Sequence, residues 1–175
     1  MKLKMLFILV LLLAASAIWY FTPKHYNKTL DGVYYQLGQE GIIGDVKVHL
    51  SGKLRNHING HKSFRGTIDI TGAKVPQIPK GRDDLQLLYS GENFASVVSF
   101  YSVSGKNGTI VPNIYFYGAA YINDDFTRFT IALSNDENKH WTQSDGFMIT
   151  APAKDREEAT RISQELMSKF GTRIN

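Results

Sequence analysis

The sequence predicts a mainly β protein of the α+β class, in which an antiparallel meander of about eight strands forms a curved sheet or barrel. One C-terminal helix packs on it and an N-terminal membrane segment precedes it. Three features carry this expectation. Apolar and polar residues alternate through much of Leu30 to Ala151, the period of half-buried strands. The short turn sequences Asn59-Gly60, Asn107-Gly108 and Asn123-Asp124-Asp125 separate successive runs, and turns that short join antiparallel neighbours. After Asp155 the period changes from two to that of a helix.

The chain begins with Lys2 and Lys4, followed by 17 uncharged positions from Met5 to Phe21. A short basic head before an apolar stretch is the form that export machinery reads. As a helix the stretch reaches ~26 Å, a thin fit to a hydrocarbon core of ~30 Å. Trp19, Tyr20 and Phe21 resemble the interfacial aromatics of a spanning helix, which Thr22-Pro23 would end. Residues 1–23 therefore read as a signal-anchor, and 24–175 as a domain delivered outside the cytoplasm of a single-pass membrane protein. Ala15-Ser16-Ala17 is a small-x-small site, so secretion after cleavage near Ala17 is the alternative.

The strand pattern is clearest from Val46 to Gly72. A two-residue loop would set Leu54 opposite Arg65 and mix the faces of the hairpin. A three-residue loop, Ile58-Asn59-Gly60 with Gly60 left-handed, sets Leu54 opposite Phe64, Leu50 opposite Ile68 and Val48 opposite Ile70. A one-residue slip inverts a strand's faces, so hydrophobic matching selects the second register. The later strands are expected near 85–90, 94–103, 109–122, 126–134 and 147–151. Val75 to Asp84, with two prolines and a glycine, reads as a connecting loop. Asp155 and Glu158 form a capping-box-like start to a helix spanning 154–171. Ala159, Ile162, Leu166 and Phe170 lie on its apolar side, Met167 at the edge of that side, and Gly171 supplies the stop.

The formal net charge is +4, and Lys2 and Lys4 contribute half of it, which is too weak a balance to indicate nucleic acid. The chain has no cysteine, which removes disulfides, thiol nucleophiles and Cys-based zinc sites. For an exported domain that composition fits a bacterial envelope better than a disulfide-forming compartment.

The chosen register places several polar groups on the outer face of the hairpin. His57 and His61 face each other with Cβ atoms ~5 Å apart, and Lys53 lies opposite Arg65, an unfavourable like-charge pair unless anions or water intervene. Lys47, His49, Lys53, Arg55, His57, His61 and Arg65 together form a candidate anion-binding surface, suited to lipid phosphate or an anionic wall polymer. The plain alternative is a solvated face whose charges deter edge pairing. Two imidazoles fall short of the three or four ligands of a metal site, and no metal, cofactor or catalytic residue is assigned. Tyr115, Tyr117 and Tyr121 share one parity on a strand, and could line a cavity or form a core layer. Asp124-Asp125 and Asp136-Glu137 lack the ligand spacing of a calcium loop.

No nucleophile-elbow, zinc-hydrolase or phosphate-loop motif is present. The functional expectation is a membrane-tethered extracytoplasmic binding or sensing domain without enzymatic activity. Its expected partners are the membrane and an anionic lipid, a wall polymer or another envelope protein. The alternatives are a small extracytoplasmic hydrolase on a convergent Ser/His site, with His140 or His49 as base, and a membrane-associated immunity or inhibitor protein.

Overall fold

The computed structural model describes residues 2–134, 141–172 and 174. An apolar helix, α1 (Lys2–Phe21), is followed by strands β1 (Lys24–Gln36), β2 (Gly44–Asn56), β3 (Lys62–Thr71), β4 (Gln86–Tyr89) and β5 (Phe94–Ser104). Strands β6 (Ile110–Ile122), β7 (Phe129–Leu133) and β8 (Phe147–Ala151) come next, and helix α2 (Arg156–Ser168) follows them. The eight strands form a closed barrel in chain order, every neighbour antiparallel. Closure comes from β1, in which Lys24 to Tyr34 pair with β2 and Val33 to Gln36 pair with β8. A Cβ at Gly32 would strike the Thr150 carbonyl and Ala151, so this position lets β1 and β8 come together.

The β2–β3 hairpin has the predicted register: Leu54 faces Phe64, Leu50 faces Ile68 and Val48 faces Ile70. Gly60 holds the left-handed conformation (φ +81°), and the His57 N–H donates to the His61 carbonyl to close the loop. Val46, Val48, Leu50, Ile68 and Ile70 point inward and are buried, each contributing about 1.5–3 kcal/mol, and Leu54 nearer the tip is partly buried. Because β1 starts at the end of α1 and the strands alternate in direction, the turns 57–61, 90–93 and 123–128 lie at the α1 end of the barrel. The 105–109 turn lies at the other end.

Two predicted features differ. Phe126 does not begin β7 but sits in the preceding turn with φ +56°, and it is fully buried. The Asn123 side-chain oxygen accepts the Thr127 and Arg128 N–H groups at 2.8 Å each, which withholds them from the ladder and delays β7 to Phe129. The Phe126 ring is thereby directed into the barrel, where it meets Phe64 (4.8 Å between centroids), Phe129 (5.0 Å), Tyr89 (5.4 Å) and Tyr26 (5.5 Å). The second difference is a bulge in β6. Val97 and Val98 face Gly118 and Phe116, so Tyr117 is the extra residue and the face parity switches there. Tyr115 and Tyr117 consequently pack on the barrel core, while Tyr121 packs outside it against Phe94 and Phe170.

Helix α2 lies on the outside of the barrel. The Glu158 N–H donates to Asp155 Oδ1 (2.8 Å), and the Glu158 carboxylate reaches back to the Lys154 N–H (2.9 Å), one residue beyond the usual capping-box partner. Ala159, Ile162, Leu166 and Met167 are buried beneath the helix. Phe170 is half-exposed against Phe94 and Tyr121, and Gly171 is left-handed (φ +69°). Beneath α2 sits a cluster of buried hydroxyls. Ser163 Oγ lies 2.5 Å from Tyr35 Oη, 2.8 Å from Thr150 Oγ1 and 3.0 Å from Thr130 Oγ1, and donates to the Ala159 carbonyl. Each member satisfies another, which is the condition under which a buried polar group is tolerated.

Two ion pairs tie α2 to the α1 end of the barrel. Arg128 forks onto Glu165 (2.6 and 2.8 Å), and Lys169 reaches Asp124 (3.2 Å). The hydrogen bond from Arg128 holds Glu165 below its ordinary value, and those from Asn93 and then Lys169 do the same for Asp124. With the folded values lowered, the unfolded chain takes up these protons first. The stabilisation is therefore complete above the unfolded carboxylate range and is lost as pH falls through it, from about pH 5 downward. Thermal melts between pH 7 and pH 3 should show this decline, and Arg128→Gln should make it shallower.

Candidate functional site

Helix α1 is uncharged from Met5 onward, none of its apolar window is buried in the protein, and it is long and apolar enough to span a membrane or serve as a signal sequence. It passes into the barrel without a spacer. The Thr22 N–H donates to the Ile18 carbonyl, Lys24 Nζ lies 3.5 Å from the centre of the Trp19 ring, and Asn56 Nδ2 donates to the Tyr20 carbonyl (3.2 Å). The last of these bonds sets the end of α1 against the tip of the β2–β3 hairpin.

At this rim is a cleft of about 430 Å³ lined by Pro23, Lys53, Arg55, Ser63, Phe64, Arg65, Leu88, Tyr89 and Ser90. The β2–β3 register builds it. Lys53 faces Arg65 and Arg55 faces Ser63, and the β3–β4 pairing adds Leu88 beside Arg65. Across β1, His25 faces Lys53 on the same outer side. Lys53, Arg55 and Arg65 are exposed, and among the described residues none of them forms an ion pair. Of the carboxylates at this end, Asp124 is matched with Lys169 and Asp125 with Lys62 (3.8 Å), while Glu92 in the 90–93 turn is exposed and forms no ion pair among the described residues. Three cations therefore share one cleft whose lining contains no carboxylate.

The seven sequence candidates divide by position. Lys53, Arg55 and Arg65 converge on the cleft, with His57 and His61 at the adjoining tip. Lys47 and His49 lie in the far half of β2, registered beside Asp31, Thr29 and Asp69, and His49 Nδ1 bonds Thr29 Oγ1 (2.9 Å). That half carries both signs. His57 Nε2 bonds Ser63 Oγ (2.7 Å), and among the described residues no group of three His, Asp or Glu side chains converges as a metal site. Ser63 was legible from the hairpin register alone. Pro23 and Leu88 were not, because they depend on α1 docking at this rim and on the four-residue strand β4.

The other sequence candidates resolve differently. Tyr117 is 3 % exposed inside the barrel, and burial pushes its phenol well above the ordinary value. Tyr115 packs beside it, so these tyrosines form a core layer in a barrel filled by side chains. Asp136, Glu137 and His140 lie outside the described residues. Set against known proteins, the chain matches no family model, no curated protein and no solved structure.

Proposed function

We propose that this chain is a membrane-tethered binding or sensing domain, held by α1 at the outer surface of a cell membrane, that engages anionic lipid or wall polymer through the basic cleft. The observation that supports this is the grouping of Lys53, Arg55 and Arg65, which form no ion pair among the described residues, where the chain leaves α1. Each basic side chain near an anionic membrane surface adds about 1 kcal/mol of attraction, which screening diminishes over about 8 Å at physiological salt.

The piece from Lys24 onward suits the assay, because no residue of α1 belongs to either core cluster. It should sediment with vesicles containing phosphatidylglycerol at low salt, and release as salt rises. Replacing Lys53, Arg55 and Arg65 with Gln should abolish sedimentation and leave the melting temperature unchanged or slightly higher, since the Lys53–Arg65 repulsion is relieved. A piece that ignores both anionic vesicles and wall polymer at low salt contradicts the reading. The whole chain should fractionate with membranes, and external protease should digest the barrel. A soluble product beginning at Ile18 would instead show cleavage.

One contact favours a hydrolase as a second reading. Ser63 Oγ, in the cleft, and His57 Nε2, at the adjoining tip, stand at the separation of a nucleophile and its base, beside cations suited to stabilise an oxyanion. Covalent labelling of Ser63 by a fluorophosphonate, lost in His57→Gln, would establish it.

A further inference from the structure

The tip of the β2–β3 hairpin carries an apolar residue that the turn does not require. Left-handed Gly60 and the Asn59 side chain, which accepts the His61 N–H (3.2 Å), close the loop. Ile58 between them and His57 is 93 % exposed, more than any other large apolar side chain among the described residues. A single exposed isoleucine is ordinary on a protein surface, so position decides its meaning. Two residues earlier, Asn56 is bonded to the last turn of α1, beside the Trp19–Lys24 pair. Ile58 is thus presented at the level where a spanning α1 would leave the bilayer, at the tip of the hairpin whose strands carry the cations of the cleft.

We infer that this hairpin tip is a membrane-insertion point: Ile58 enters the interface of the bilayer spanned by α1, while Lys53, Arg55 and Arg65 hold the phosphates of its anionic lipids. The inference rests on the tethered reading above and adds the ligand, a lipid phosphodiester of the same membrane, and the contact that reaches past the headgroups. Charge complementarity supports a lipid occupant, because Lys53, Arg55 and Arg65 are the charged residues of the cleft lining and no carboxylate belongs to it. Amphipathic anchoring of this kind combines a buried apolar side chain with basic residues at headgroup depth.

The absence of cysteine allows a clean test. Full-length Ile58→Cys, labelled with an environment-sensitive fluorophore, is reconstituted in nanodiscs of phosphatidylcholine alone or mixed equally with phosphatidylglycerol. In the mixed discs the emission should move to the blue and become quenchable by a quencher fixed to the acyl chains. The same label at Ile110→Cys, 77 % exposed at the opposite end of the barrel, should stay aqueous. Adding Lys53→Gln, Arg55→Gln and Arg65→Gln should weaken docking by about a hundredfold and return the Ile58 probe to water. Lys47→Gln, in the far half of β2, should not. A probe that stays aqueous in the mixed discs, while the soluble piece still binds anionic vesicles, overturns the insertion and leaves the tethered reading standing. An equal shift in neutral discs removes the cleft from the account. Release of the probe by soluble glycerol phosphate would make the occupant a free phosphate ester and overturn the assignment to lipid.

Discussion

Phe126→Ala is expected to cost about 3–5 kcal/mol, the range for truncating a fully buried aromatic ring. The ring touches four other aromatic side chains at the α1 end of the barrel, so its loss opens a cavity that none of the surrounding strands can close without shifting. For a domain of this size the melting temperature should fall on the order of 10 °C. The backbone adds an internal check. Phe126 has φ +56°, a region that alanine also resists, whereas glycine enters it freely. Phe126→Gly should therefore be at least as stable as Phe126→Ala, reversing the order expected in a regular strand. Urea unfolding of both variants, with m unchanged, measures the difference directly, and a cost below about 1 kcal/mol would contradict the packing described.

Leu166→Ala should cost about 2–5 kcal/mol, because Leu166 is 2 % exposed under α2. Asp155→Ala, which removes only the cap, should cost about 1 kcal/mol. The contrast matters because it separates the helix as a folded element from the helix as a cover. A chain ending before Asp155 would lose both, exposing Val33, Tyr35 and Met148 and leaving Tyr35, Thr130 and Thr150 without Ser163. Such a chain with an unchanged melting temperature would show that the barrel does not depend on α2.

The parts of this fold that the sequence made legible are those fixed by local pattern. The β2–β3 register followed from alternation on both strands and from one glycine that could turn left-handed; the cap at Asp155 and the stop at Gly171 followed from their chemistry. Phe126 was misplaced because its conformation is set by the Asn123 side chain capturing two N–H groups, an interaction that alternation does not register. The Tyr115, Tyr117 and Tyr121 face was split by a bulge opposite Val97 and Val98, which only strand pairing reveals. The cleft lay between these extremes. Its cations were readable from the hairpin, but its walls come from Leu88 on a short strand and from Pro23 after α1. Ile58 was visible as a turn residue, and acquired significance only when Asn56 was found against Tyr20.

The hydroxyl cluster beneath α2 also bears on the order in which the chain completes itself. Tyr35 bonds Thr150 and Ser163, partners 115 and 128 positions further along. The β1–β8 seam is therefore the most sequence-distant pairing in the barrel, and the helix that clasps it follows β8 in the chain. A chain emerging amino end first can form the β2–β3 hairpin early, yet it must keep the free edge of β1 unpaired until β8 has appeared. During that interval the molecule is an open sheet with a free, apolar-flanked strand, the form most exposed to pairing with a neighbour. A chain stalled or clipped before β8 would thus keep a persistent edge rather than form a slightly weakened barrel.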